Sequence, residues 1–199
     1  SGKDYAHRKP MVVARIRELA SIFSVALMGY AVMSNHLHLV LSVEPETAGK
    51  WSDEEVAERW LRLFPSKEPE QVELRRAALL ANSEALALRR ARLADLSWFM
   101  RCLDEFVARR ANAEDQVKGR FWEGRFKCQH LADDRALAAA MAYVDLNPIR
   151  AGMADSLEKS EHTSVQQRLA DLRETPEKAD APLAPIAGIS VFRFPMTAS

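Results

Sequence analysis

The chain has 199 residues, 48% of them apolar, with 28 Lys plus Arg balanced by 28 Asp plus Glu. That length holds one ordinary domain with decorations rather than two independent cores, and so apolar a composition excludes wholesale disorder. A formal net charge of zero argues against a protein that coats nucleic acid by neutralising phosphates nonspecifically, while leaving room for a local basic groove.

Cys102 and Cys128 have neither zinc-ligand spacing nor the pattern of a disulfide framework, and read as two buried free thiols in a reducing cytoplasm. No apolar run approaches the ~20 residues needed to span a bilayer. The opening Ser1-Gly2-Lys3-Asp4 carries no signal-peptide pattern. The expectation is a cytoplasmic protein with no membrane partner.

In chain order, Ser1 to Pro10 is polar and short, with no strand pattern. Apolar residues at Val12, Val13, Ile16, Leu19, Ala20 and Phe23 then recur at a helical period, which predicts a helix from Lys9 to Phe23. Ser24 to Met33 reads as a strand and Ser34-Asn35 as a tight turn. His36 to Val43 alternates cleanly, with Leu37, Leu39, Leu41 and Val43 on one face and His36, His38, Val40 and Ser42 on the other. Helix, strand, turn and strand in that order predict an antiparallel hairpin with a helix on one face.

Glu44 to Lys50 reads as a loop. Ser52 with Glu55 three residues later forms a capping box that opens a helix running to about Phe64, where Pro65 stops it. Lys67 to Asn112 is rich in Ala, Leu, Arg and Glu, and predicts helices with a break near Asn82-Ser83. The stretch 66–112 reads as a helical insertion, and for Ser66 to Leu93 the plain reading is a solvated decoration without chemistry. From Gly119 to Leu131 aromatic and basic residues interleave, the last six as a strand. Asp133-Asp134 caps a helix from about Arg135 to Leu146, ended by Asn147-Pro148. Ser164 to Leu172 is a short amphipathic helix, and prolines with scattered polar residues make 175–199 a C-terminal tail that wraps the domain or stays mobile. The domain proper is thus 1–174.

The chemistry-bearing residues are few. His36 and His38, two apart on a strand, project both imidazoles from one face, a ready site for two nitrogen ligands on one cation. On spacing alone such a pair is more often structural or surface-exposed. Tyr143 shares a helical stripe with Ala136, Ala140 and Asn147, beside the stripe Leu137, Met141 and Val144 expected to pack down. A half-buried tyrosine making one hydrogen bond is its alternative reading. Arg109, Arg110, Lys118, Arg120, Arg125 and Lys127 interleave with Phe121, Trp122 and Phe126. Aromatic stacking with phosphate contacts is how single strands are usually held, but the three aromatics could equally be core residues.

Three blocks in order carry a resemblance. Tyr30-Ala31-Val32-Met33-Ser34-Asn35-His36-Leu37-His38-Leu39-Val40 resembles the His-hydrophobe-His strand of the HUH-type single-tyrosine transposases, closest to the REP-associated tyrosine transposase branch. Gly119 to Lys127 and Tyr143 to Gly152 resemble that branch's other two signatures, and the likeness spans roughly Tyr5 to Leu169.

The resemblance implies an α+β fold, a ferredoxin-like antiparallel sheet with packed helices and a helical insertion. It implies that His36, His38 and Asn147 ligate a divalent metal, Mg²⁺ or Mn²⁺, and that Tyr143 attacks single-stranded or hairpin DNA to leave a 5′-phosphotyrosine. Arg120, Arg125, Lys127 and Arg150 are the expected DNA contacts, and the nucleoid the expected surroundings. A phenol, of pKa about 10, is a poor nucleophile near neutral pH, so a nearby cation and a polarised phosphate suit these residue types.

One departure matters. The family's first strand, central in such a sheet, has no counterpart before the first helix, so either the natural protein is longer at its N-terminus or the sheet is incomplete. An incomplete sheet would leave the histidine strand with an open edge. Two other functions stay open: a domesticated protein that binds a DNA hairpin without cutting, and a metal-dependent phosphodiesterase that uses water. A monomer and a homodimer are both compatible with the sequence.

Overall fold

The computed structural model describes residues 6–174 and 189–195. The chain is α+β, and its described residues fall into two compact units, one of 6–14, 27–42, 108–174 and 189–195, the other of 15–26 and 43–107.

A 3₁₀ turn at Ala6–Arg8 leads into α1 (Lys9–Ile22), with Pro10 in the first turn, where its missing N–H costs nothing. β1 (Val25–Val32) and β2 (His36–Val43) follow as a hairpin, closed where the Met33 N–H donates to the His36 carbonyl at 2.9 Å. The alternation of apolar and mixed positions that defines β2 needs a cover on each face, and Leu37, Leu39 and Leu41 on one face and His38 and Val40 on the other are all buried.

In the second unit, Glu44 to Lys50 is not the loop its composition predicts. It forms α2 (Pro45–Lys50), because Pro45 has its φ preset for a first helical turn. α3 (Asp53–Leu63) is capped as the capping-box pattern predicts, with Ser52 Oγ accepting from the Glu55 N–H. α4 (Pro69–Leu80) and α5 (Ser83–Leu93) are separated at Asn82, whose Oδ1 caps α5. A second break, unforeseen in the sequence, opens α6 (Leu96–Asp115): Asp95 Oδ1 accepts from the Trp98 N–H at 2.8 Å. α4 buries no residue, as a solvated decoration would. α5 and α6 are different: Leu93, Phe99, Met100 and Leu103 are fully buried, and Phe99 meets Phe23 edge to face. Arg90 ties α2 and α3 to α5, donating to the Ala48 and Trp51 carbonyls and to Asp53.

In the first unit, β3 (Lys127–His130) and α7 (Asp134–Arg150) follow α6, and α8 (Ser164–Glu174) comes next. Asp133 caps α7 by accepting from the Ala136 N–H at 2.7 Å. The expected stop at Asn147-Pro148 is corrected: α7 runs through Pro148 to Arg150. Proline removes one N–H from the helical ladder, but Asn147 and Pro148 are both buried, and the carbonyls of Asn147, Pro148 and Ile149 find donors in Ala151, Met153 and Gly152. Tertiary packing thus outweighs the local preference to end before proline.

The sheet corrects the expected incompleteness. Its order is β1-β2-β4-β3, where β4 is Ile189–Pro195, a segment read from sequence as part of the tail. β4 pairs antiparallel with β2, from His36↔Pro195 to Ser42↔Ile189, and antiparallel with β3, from Lys127↔Arg193 to His130↔Ser190. Among the described residues no strand precedes α1, yet the central place that a ferredoxin-like sheet gives its first strand is taken by β4. The inner edge of β2 is therefore paired. The remaining residues of the tail, 175–188 and 196–199, and the opening 1–5 lie outside the described residues.

α7 packs on the His38 and Val40 face of β2. Val40, Ala31, Leu131, Leu137 and Val144 form one buried cluster, with Met141 against it. Gly29 permits this approach: a Cβ there would stand 2.9 Å from the Met141 sulfur. α8 clips β1 from another side, its Ser164 Oγ accepting from the Tyr30 N–H at 2.9 Å. Among the described residues no helix is long and apolar enough to cross a membrane.

Candidate active site

Two residues apart on β2, His36 and His38 project from one face, and their rings meet at 85° with centroids 4.8 Å apart. His36 sits at the turn, partly open to solvent, and its Nδ1 is hydrogen-bonded to Asn35 Oδ1 at 2.5 Å. With the proton on Nδ1 and donated to that amide oxygen, the Nε2 lone pair is left for a metal. Asn35 was read from sequence only as a turn residue; its place next to His36 was the available signal. His38 is only 1% exposed, beneath α7.

α7 carries Tyr143 over this pair. Leu137 and Val144 pack down, as their stripe predicts, and that rotation sets the Tyr143 ring edge-on to His38, centroids 5.4 Å apart at 90°. Tyr143 is 39% exposed. Asn147 follows one helical turn later and is buried. Because α7 continues past Pro148, Arg150 comes onto the same side, its guanidinium 5.6 Å from the centre of the Tyr143 ring.

A cleft of about 560 Å³ opens beside His38 and Tyr143, walled by Ala136, Ala139 and Ala140 of α7 and by Lys127, Cys128 and Gln129 of β3. Of the expected DNA contacts, Lys127 lines this cleft and Arg150 stands over Tyr143, while Arg120 and Arg125 are exposed but are not part of its wall. Lys127 and Arg150 make no ion pair among the described residues, so their charge faces solvent and any anion that enters. The interleaved aromatics resolve toward the core reading. Phe121 and Trp122 are buried against each other, centroids 5.0 Å apart, and Phe126 is half-buried.

Could these residues hold a divalent ion? Among the described residues no three His, Cys, Asp or Glu cluster for one. The candidate donors are instead the two adjoining imidazoles of His36 and His38 and the amide of Asn147, one helical turn beyond Tyr143, with His38 and Asn147 buried. Such a borderline-to-hard set, without carboxylate or thiolate, leaves coordination positions for phosphate oxygens, and in that respect the residues fit.

The tyrosine helix is held by one more contact that the sequence did not announce. Arg168 of α8 donates to Asp145 at 2.5 Å, to Ser164 Oγ at 3.0 Å and to the Met28 carbonyl at 3.5 Å, joining α7, α8 and β1. Compared with protein-family models, curated proteins and solved structures, the chain matches none.

Proposed function

We propose that this chain is a metal-dependent single-strand DNA endonuclease and strand transferase of the HUH-type single-tyrosine class, akin to the REP-associated branch. What supports the reading is that His38 and Tyr143, from β2 and α7, meet at one cleft, with the His36 ring against that of His38. Each was an ordinary residue on spacing alone; a nucleophile-bearing ring against a histidine pair is the arrangement the chemistry requires.

In this reading His36, His38 and Asn147 hold Mg²⁺ or Mn²⁺. When bound, the ion supplies Lewis-acid polarisation of a phosphate oxygen. The Tyr143 oxygen attacks phosphorus, and a P–O bond forms as the bond to the 3′ oxygen breaks. The phenol loses one proton and the leaving 3′ oxygen gains one, giving a 5′-phosphotyrosine and a 3′-hydroxyl. One phosphoester replaces another, so the strand can be rejoined without ATP. Lys127, lining the cleft, and Arg150, beside the Tyr143 ring, supply positive charge to the strand. The exposure of Tyr143 admits a strand from solvent.

The test is covalent. Protein, Mn²⁺ and labelled single-stranded hairpin DNA should give a denaturation-resistant adduct that Tyr143→Phe abolishes. Cleavage without an adduct would replace the proposal with a water-using phosphodiesterase, and binding without cleavage with a domesticated hairpin-binding protein.

A further inference from the structure

We propose that the cleft between α7 and β3 seats one unstacked nucleobase, adenine in preference, next to the phosphate that Tyr143 attacks, and that Gln129 reads its edge. The inference rests on the function proposed above and deepens it.

The cleft has room for a nucleotide: its volume of about 560 Å³ lies within the ~300–1,000 Å³ of small-ligand sites. His38 and Tyr143 stand at it, so a base lodged there belongs to a nucleotide beside the reacting phosphate. One wall is the small-residue face of α7, Ala136, Ala139 and Ala140, flat and apolar enough to take the face of a ring. The usual means of holding single strands, stacking on exposed aromatics, is not offered by Phe121 and Trp122, which are buried. Recognition by hydrogen bonds within the cleft is the alternative this unit offers.

The opposite wall supplies them. Lys127 is in register with Arg193, which is in register with His38; Gln129 is in register with Val191, which pairs with Val40. Residues directly opposite in antiparallel strands share a face. Lys127 and Gln129 therefore lie on the sheet face that carries His38 and Val40, beneath α7. Lys127 offers a point charge for a phosphate. The Gln129 carboxamide offers one donor and one acceptor side by side, the pair that matches adenine's N6 amine and adjacent ring nitrogen. Both side chains are exposed on a short edge strand, so their replacement leaves the core untouched.

Of the two cysteines expected to be buried, Cys102 is and Cys128 is exposed. Cys128 is in register with Phe192 and through it with Leu39, so it lies on the sheet face away from Lys127 and Gln129. The footprint is instead an Ala139→Cys substitution, at an exposed position on the α7 wall of the cleft, in a Cys128→Ser background. The full chain, in EDTA, is treated with a maleimide in the presence of single-stranded hairpin DNAs that differ at one unpaired nucleotide, and alkylation at position 139 is followed by mass spectrometry. Adenine should protect position 139 at roughly tenfold lower DNA concentration than the other bases, as a good bidentate pair allows. Gln129→Leu should erase that preference, while Lys127→Ala should weaken protection by all four DNAs alike. Equal protection by the four bases, or an adenine preference that survives Gln129→Leu, overturns the proposal. A Tyr143 adduct formed with Mn²⁺ but no protection at position 139 would sink the base pocket and spare the nuclease. Base-selective protection with no adduct would do the reverse.

Discussion

The imidazole of His38 meets the phenol of Tyr143 edge to face, with ring centroids 5.4 Å apart and planes at 90°. The contact joins the buried face of β2 to an exposed position of α7. The histidine is thereby shielded and the tyrosine accessible, the division of labour expected of a ligand and a nucleophile.

Metal binding should be visible as stability. Mn²⁺ at a hundredfold excess over its Kd should raise unfolding free energy by about 2.7 kcal/mol, and EDTA should reverse it. His36→Ala, at a partly exposed position, should leave metal-free stability within about 0.5 kcal/mol while removing the response. His38→Ala should remove the response and also cost about 2 kcal/mol, because it opens a cavity under α7. Thermal melts with and without Mn²⁺ decide it: an undiminished Mn²⁺ shift in the double variant excludes this ligand pair.

Arg168 should matter to the site at a distance. Its bonds to Asp145, Ser164 and the Met28 carbonyl hold the helix that bears Tyr143. Because Arg168 is partly solvent-exposed, Arg168→Ala should destabilise the protein by about 1–2 kcal/mol, the range of a single charge-assisted network of modest burial. Denaturant titration measures the loss, and Arg168→Lys should recover only part of it, since an ammonium cannot reproduce the fork.

Asp104 makes stability depend on pH. Burial, with a smaller contribution from the Glu105 charge, pushes its carboxyl from 3.8 up to about 7. Below pH 3.8 both folded and unfolded forms are protonated. Between that value and about 7 the unfolded chain gives up its proton while the folded chain keeps it, so stability falls as pH rises through this window and levels off above it. A rise of three units corresponds to about 4 kcal/mol; partial access of water reduces the expected gain of Asp104→Asn at pH 8 to about 2 kcal/mol. Chemical denaturation at pH 4, 6 and 8 should show the variant and parent converging at the acid end. A constant difference across the three would rule out this origin.

Arg8 pins the segment before α1 to the end of α6. It donates to Glu114 at 3.1 Å and to Asp115 at 2.7 Å from a largely buried position, and Glu114 also contacts His7. Burial by itself would lower the guanidinium's pKa, but its hydrogen bonds to Asp115 and Glu114 and their charges together hold it above its ordinary range. Arg8→Ala leaves the half-buried Asp115 without its cation and should cost about 3 kcal/mol in an unfolding titration. A loss below 1 kcal/mol would mean that solvent replaces the pair.

Much of the site was legible locally. The alternation of His36 to Val43 and the turn at Ser34-Asn35 specify the hairpin, and the pleat puts His36 and His38 on one face. The stripe Leu137 and Val144 orients α7 and leaves Tyr143 on its flank. Ser52 and Asp133 mark their helices because a side-chain oxygen within reach of an N–H three residues on is a short-range event. Gln129 and Arg168 carried no such mark, since an exposed amide on a strand and an arginine on an amphipathic helix are commonplace until a partner from elsewhere in the chain is known.

The histidine pair and the phenol were thus readable as residues, each with its face assigned by a period of two or of 3.6. Their meeting was not, since nothing in either pattern says that α7 lies over β2. The strand between β2 and β3 was the larger surprise: Ile189–Pro195 pairs with His36–Ser42, and such pairing is a contact between segments far apart in the chain, which composition does not encode. Likewise Pro148 ends a helix by its own chemistry and is carried inside one here, because burial of Asn147 and Pro148 outweighs one lost hydrogen bond. Periodicity and capping act within a few residues and leave their signature in the sequence; strand order and helix docking are fixed by the burial of surfaces that come together only on folding.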